Sequence, residues 1–527
     1  MIDRNNRLEW IGLIAVLALL IGGASESAPA EVADRIQPSK ANPFYWQYKG
    51  KPVLLLGGSG QDNLFNHPAG PKPGGTLEKH LDILRSVGGN YVRNTMSHRD
   101  VGNVFPYLRL KNGKFDLNQP NPEYWNRFET FLRMTAERDI IVQVEVWASF
   151  DYGNDRHGSG GPGSKDDMAG WKNHPFNPVN NVNYTQEDSG LPGTWNEDDG
   201  FNKNPFFLAV PSLGNNKVVL PYQQAFVDKI LSHSLKYSHV LYTSNNENNL
   251  PAQTHDAGFG PDKIHAWADY WTGYIQKKAT EAGKKVETGD MVNMWFWTWP
   301  GRDRFWGWQA DRPQLYNFID VSQVNSQTHM ISGERETDWN GIMELRWQRL
   351  MEVRDVIADS RQARPMNNTK IYGAGSNSET RYSADGGIQR FWRNLMAGCA
   401  SARFHRPASG LGLSETAQAN IRSARLFTDA MNIFAARPRN DLLSDRSNNE
   451  AYLLAEAGRQ YAVYFPKDAG DGRVTLDLTE AKGRWTLRWL NILESQWTQE
   501  QTLEGGKKVQ IKKPDAGHWA VMIVPAK

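Results

Sequence analysis

Only one cysteine occurs in the 527 residues, Cys399, so no intrachain disulfide can form. That excludes a disulfide-stapled scaffold and suits an exported bacterial protein better than an animal secreted one. Cys399 stands in NLMAGCASARF, among small and apolar neighbours, as a buried filler does. An excess of charge of one sign is also missing. Lys and Arg number 60 against 58 Asp and Glu, a formal +2, and basic residues are dispersed, which argues against a nucleic-acid partner. No G-x-G-x-x-G follows the first strand pattern, and the 12 histidines form no HExxH or Cys/His cluster. Neither a cofactor nor a metal is therefore expected. Asp151, Asp155, Asp166 and Asp167 share a Gly-rich loop but lack the spacing of a calcium loop.

Long hydrophobic runs are absent as well. The apolar stretch Ile11–Ile21 is shorter than the roughly 20 residues a membrane span needs. It fits the apolar region of a secretory signal, with Ala28-Pro29-Ala30 as a cleavage site. Residues 1–30 are read as a signal peptide, and the product as periplasmic, extracellular or cell-surface, with no membrane span after signal removal.

Aromatic residues are what the chain has in plenty: 20 Trp, 18 Tyr and 21 Phe. Five of the tryptophans fall in MWFWTWPGRDRFWGW, residues 294–308. Trp147, Trp295, Trp297 and Trp299 are candidate platforms, because flat aromatic faces stack on sugar rings and the indole N–H can bond a hydroxyl. The competing reading is that such residues form one buried face.

From about residue 50 to 436, strand-like apolar runs alternate with helical patterns, in a barrel domain bounded at 45–436. The strands read as 52–57, 90–95, 140–147, 239–243, 286–291, 318–324, 370–372 and 402–405. Eight such units predict an α/β fold, a (β/α)8 barrel; an open doubly wound sheet is the alternative. After Ala436 short strands separated by Asp471-Gly472, Lys482-Gly483 and Gly505-Gly506 predict an all-β sandwich over 437–527. Trp485, Trp489 and Trp519 would be its core.

In a barrel, polar residues at the carboxyl ends of strands are the first place to look for chemistry. Strand two ends in Arg93-Asn94, strand three carries Glu145, and strand four runs into TSNNENN at 243–249. Glu247 could give a proton to a glycosidic oxygen while Asn246 holds a hydroxyl. His329 follows strand six, and Arg403, His405 and Arg406 follow strand eight.

Arg93-Asn94 and Asn246-Glu247 resemble the clan of retaining (β/α)8 glycoside hydrolases that includes cellulases and mannanases, over residues 45–436. The segments RQYAVYFP, DLTEAKGRWTLRWLN and HWAVMIVP resemble a β-sandwich named for collagen binding at the end of bacterial barrel proteins; nothing in them argues for collagen. The clan resemblance implies Glu247 as acid/base, Asn246 as its neighbour on a sugar hydroxyl, Arg93 as support for a nucleophile, and a Glu nucleophile after strand seven. Here the sequence departs from the clan: RPMNNTKIYGAGSNSE places Lys370 at that position. A second carboxylate would then come from Glu379, or from Glu145, Asp151, Glu334 or Glu336. Two further readings are a barrel that binds glycan without cleaving it, and a lyase acting on an anionic glycan. Arg403, His405 and Arg406, with Lys370 nearby, would make one wall of the cleft basic, so the expected partner is a polysaccharide or oligosaccharide, anionic ones included.

Overall fold

The computed structural model describes residues 34–66, 76–100, 102–153, 170–195, 204–248, 261–291, 307–322, 339–360, 362–373 and 383–526. The expected signal peptide lies outside them. Among the described residues no helix is long and apolar enough to cross a membrane.

Eight parallel strands form a closed ring: β1 (Leu55–Gly58), β2 (Tyr91–Thr95), β3 (Ile141–Ala148), β4 (Val240–Asn246), β5 (Thr288–Gly289), β6 (Ile319–Asp320), β7 (Met366–Asn367) and β8 (Ser401–Phe404). Ladders join β1 to β2, β2 to β3, β3 to β4, β4 to β5, β6 to β7 and β8 to β1. Single bridges close the two gaps, Met291 with Asp320 and Ile371 with Phe404. The fold is a (β/α)8 barrel. Glycine permits the tightest approach in the ring, since a Cβ on Gly57 would lie 2.0 Å from the Tyr91 carbonyl oxygen.

Helices α1 (Leu77–Ser86), α2 (Pro122–Ala136), α3 (Leu220–Ser234), α4 (Pro261–Glu281), α5 (Trp339–Asp359), α6 (Ala384–Met396) and α7 (Glu415–Ala430) lie in the connections. Their starts are set by residues that can cap. The side chains of Thr76, Asn121, Ser383 and Ser414 each accept a hydrogen bond from an amide of the first turn. A short hairpin, Trp46–Tyr48 with Lys51–Val53, precedes β1. Its Trp46 ring packs on Phe318 and its indole N–H donates to Asn367 Oδ1 at 2.8 Å.

Two positions differ from the sequence reading. Strand four runs three residues further than expected, so Asn245 and Asn246 are part of the ladder. Strand seven is Met366–Asn367, and Lys370–Tyr372 lies beyond it with only isolated bridges. Polar Asn and Thr around an apolar pair hide so short a strand from periodicity.

The C-terminal strands build two antiparallel sheets. The larger contains β9 (Tyr452–Glu456), β10 (Gln460–Phe465), β12 (Arg484–Asn491) and β14 (Trp519–Pro525); the smaller contains β11 (Arg473–Asp477) and β13 (Lys508–Lys512). Period-two alternation explains why the larger sheet is buried on both sides. Tyr461, Val463, Phe465, Val521 and Ile523 face the smaller sheet, with Trp485, Trp489 and Trp519 in the same core. Ala462, Tyr464, Ala520 and Met522 belong instead to the core shared with the barrel. Trp392 of α6 stacks on Tyr464 with ring centroids 5.8 Å apart.

Glu344 of α5 is the polar pin of this interface. Its Oε2 accepts from the Arg446 guanidinium, from the Asn449 amide at 3.0 Å and from the Tyr452 hydroxyl at 3.4 Å. Removing it takes the carboxylate partner from the Arg446 guanidinium, which is left with its bond to the Ala451 carbonyl, and leaves the buried Asn449 amide unpaired. Glu344→Ala is expected to cost about 2–3 kcal/mol, and calorimetry should show the sandwich melting before the barrel rather than with it.

Candidate active site

The carboxyl ends of β1 to β4 meet at Arg93. This side chain is fully buried and points from β2 into the ring. Its Nε donates to Glu145 Oε2 at 2.7 Å, one terminal nitrogen to Asn246 Oδ1 at 2.8 Å, and the other to Asp62 in the loop after β1. Burial works against the guanidinium charge, yet Glu145 and Asp62 hold its pKa above the ordinary value. Glu145 is itself fully buried, and burial raises its pKa against the opposing pull of Arg93 and Lys370.

Glu247 follows directly on β4. Its backbone is left-handed, with φ of 57°, a conformation that costs a non-glycine residue about 1–2 kcal/mol. The turn carries the carboxylate to the Lys370 ammonium, which ion-pairs with Oε1 and also donates to Asn246 Oδ1 at 2.6 Å. The Tyr372 hydroxyl reaches the same Glu247 oxygen at 3.4 Å. The Glu247 side chain keeps 10% of its surface exposed and Lys370 only 2%, so the carboxylate is the member of the pair nearer the opening. Burial pushes the Glu247 carboxyl up, but Lys370 and then Arg93 outweigh it and the net shift is downward. Burial lowers the Lys370 ammonium, with Glu247 partly restoring it. The two groups thus meet across a direct contact between Lys370 Nζ and Glu247 Oε1, each shifting the other toward its charged form against the effect of burial.

Beside this pair lies a second charged group. Asp62 is buried and is surrounded by Arg93, Arg99, Arg406 at 3.2 Å and His405 at 3.9 Å. Burial raises its carboxyl, but Arg406, Arg93 and Arg99 together hold it well below the usual range. Burial pushes His405 far down, so its imidazole is neutral. Arg403 donates to the Thr369 carbonyl at 2.6 Å and to Ser59, inside the ring. Arg406 keeps 19% of its side chain exposed.

Of the residues singled out from sequence, Arg93, Glu145, Asn246, Glu247 and Lys370 form one continuous hydrogen-bonded chain, and Arg406 and His405 stand beside its Asp62 end at 3.2 and 3.9 Å without hydrogen-bonding to it. Asn94 does not belong to it. Its Oδ1 accepts from the Leu64 amide at 2.7 Å and its Nδ2 donates to the Thr95 carbonyl; alternation along β2 turns it away from Arg93. Trp147 is not a sugar platform either. It has no exposed surface and packs among Phe206, Phe226, Trp267 and Trp271. Asp151 accepts from Ser97 at 2.8 Å and from the His98 amide, so it ties two loops together. Glu379, Trp295, Trp297, Trp299, His329, Glu334 and Glu336 lie outside the described residues, as do Asp155, Asp166 and Asp167. Among the described residues no three His, Cys, Asp or Glu side chains group to hold a metal ion.

Sequence reasoning missed Asp62 and Tyr372. Asp62 follows Gly57-Gly58 at the end of β1, where the strand-end rule could have flagged it. Tyr372 carries no local signal.

No family model and no curated protein matches the chain. Its fold does match solved structures. One is a glycoside hydrolase of TM-score 0.58 and 9% identity, covering 95% of this chain and 99% of that one. Another is a family 5 glycoside hydrolase from Bacteroides vulgatus, TM-score 0.57 and 10% identity, with 93% of each chain covered. The chain is thus similar to glycoside hydrolase structures along both its barrel and its C-terminal sheets.

Proposed function

We propose that the chain is a glycoside hydrolase acting on an oligosaccharide or polysaccharide, with Glu247 as the acid/base group and Lys370 as the partner that stores its proton. The observation that supports this best is the placement of Glu247. A strained turn at the carboxyl end of β4 holds a partly exposed carboxylate against a buried ammonium, where barrel enzymes keep their chemistry.

The pair carries one transferable proton. A glycosidic oxygen seated against it takes that proton as its bond to the anomeric carbon breaks, and the departing sugar leaves as a neutral alcohol. Water gives its hydroxyl to the anomeric carbon and its proton back to the pair, so atoms and charge balance. In this reading Asn246, whose Oδ1 is held by Arg93 and Lys370, has its Nδ2 left to meet a hydroxyl of the same sugar. Glu145 is sealed behind Arg93 and acts as the counter-charge of that guanidinium rather than as a group touching sugar. A carboxylate or sulfate on the sugar would meet the exposed part of Arg406.

One observation favours a second reading. Lys370 occupies the place where the resembling clan has its nucleophile, so a barrel that binds glycan without cleaving it is the alternative. A screen of neutral and anionic polysaccharides separates the two. New reducing ends support hydrolysis, saturable binding without them supports the binder, and unsaturated products absorbing in the ultraviolet would indicate elimination instead.

Two expected outcomes follow from the pair. Glu247→Gln should lower the turnover number about a hundredfold or more while the protein still melts cooperatively within a few degrees of the wild type; full activity would exclude Glu247 as acid/base. In the wild type the basic limb of the pH–rate profile belongs to Lys370. Lys370→Met leaves Glu247 as the only donor, and its carboxyl must then be protonated. The basic limb is expected to move down by about two pH units or more, measured as initial rates of reducing-end release.

A further inference from the structure

Asp290 lies just beyond β5 and is 1% exposed. Its carboxylate takes hydrogen bonds from three side chains on one neighbouring segment. Oδ1 accepts from the Ser244 hydroxyl and from Asn245 Nδ2 at 2.9 Å, and Oδ2 accepts from Asn248 Nδ2 at 2.8 Å. Asn245 and Asn248 are the residues that bracket Asn246-Glu247. The backbone adds a fourth tie, from the Asn248 amide to the Met291 carbonyl at 2.7 Å, and Trp267 of α4 donates to Asn245 Oδ1 at 3.0 Å. Both ends of the strained turn at Glu247 are therefore held by one carboxylate that itself makes no contact with Lys370 or Arg93.

We propose that Asp290 is a positioning residue, whose ionised carboxylate clamps the turn so that Glu247 faces Lys370 and the cleft. The role rests on the reading of Glu247 as the acid/base. Three donors converge on Asp290, and only an acceptor with both oxygens free satisfies them all. A protonated carboxyl, or an amide, would present a donor to Asn245, Ser244 or Asn248 and force one of them to turn.

The surroundings make this clamp sensitive to pH. Among the described residues no cation lies within ion-pairing distance of Asp290. From β4 it faces Ser244 and Asn245, and from the loop after it Asn248. Gln309 donates to its backbone carbonyl at 3.4 Å. The titratable group sensing its charge is Tyr316, before β6, whose hydroxyl donates to Asp269 Oδ1 at 2.9 Å, with Arg312 at 3.7 Å from Asp269. Burial without a cation pushes the Asp290 carboxyl up to about 6, against the opposing pull of Ser244, Asn248 and Asn245. A carboxyl raised above its unfolded value binds its proton more tightly in the fold. Its ionisation therefore subtracts from stability as pH climbs through that range, and the loss is complete above it.

The test is Asp290→Asn in the full-length protein. The turnover number should fall about tenfold or more with KM changed less than about threefold, and the wild-type acid limb near pH 6 should disappear. The melting temperature at neutral pH should be unchanged or higher, because a buried charge is removed. A turnover number within twofold of the wild type, or a fall in melting temperature that parallels the lost activity, would overturn the proposal. A second measurement does not depend on turnover: with 13C-carboxyl-labelled glutamate, and Glu247→Gln to assign the signal, Asp290→Asn should move the Glu247 resonance and its titration midpoint. An unmoved signal overturns the clamp. If the wild type cleaves no glycan, the hydrolase reading fails, and the resonance alone decides the clamp.

Discussion

A guanidinium buried in a barrel must have its donors satisfied, and the way Arg93 meets that demand organises the mouth of this one. It draws one acceptor from the loop after β1, one from β3 and one from β4. Without Asp62 and Glu145 the charge would be uncompensated in a site closed to water, which is far costlier than the pair itself is favourable. The orientation of Asn246 follows from this constraint, and through Asn246 so does the position of the Lys370 ammonium.

The interior thus contains two coupled layers of charge rather than one. Arg93, Glu145 and Asp62 are fully enclosed and keep their charges by mutual compensation. Lys370 and Glu247 stand one step nearer the opening, where the carboxylate retains some contact with solvent. The proposed proton exchange with a sugar needs that partial exposure, and a group that only supplies potential does not. The same division separates Asp62, held far below its usual pKa by three arginines, from Asp290, which meets only neutral donors and is pushed the other way. Burial raises both carboxyls, and only Asp62 has neighbouring cations that reverse it.

The C-terminal sheets take part in the same architecture. The larger sheet spends one face on its own sandwich and the other on α5, α6 and α7, so the barrel wall behind β8 is packed rather than solvated. That face carries Ala, Tyr and Met in alternation with the Val, Ile and Phe of the opposite face. In sequence this reads as continuous apolar strands, and only the partner on each side tells the two sets apart.

Alternation of strand and helix patterns, the strand-end polar residues and the change of texture after Ala436 were all legible in the sequence, because they are local properties of period and composition. They predicted the barrel, the sandwich, Arg93, Asn246, Glu247 and the anomaly of Lys370. The boundaries of β7 were not, since two residues between polar flanks leave no period to detect. The buried fate of Trp147 was not, since a tryptophan after a strand looks the same whether helices α3 and α4 cover it or sugar does. Nor could the sequence say which groups surround Asp62 or that Asp290 holds the Glu247 turn. Those pairings join residues tens to hundreds of positions apart. Sequence set which chemical groups stand at the strand ends; closure of the ring decided which of them touch, because distance across a barrel has no counterpart along the chain.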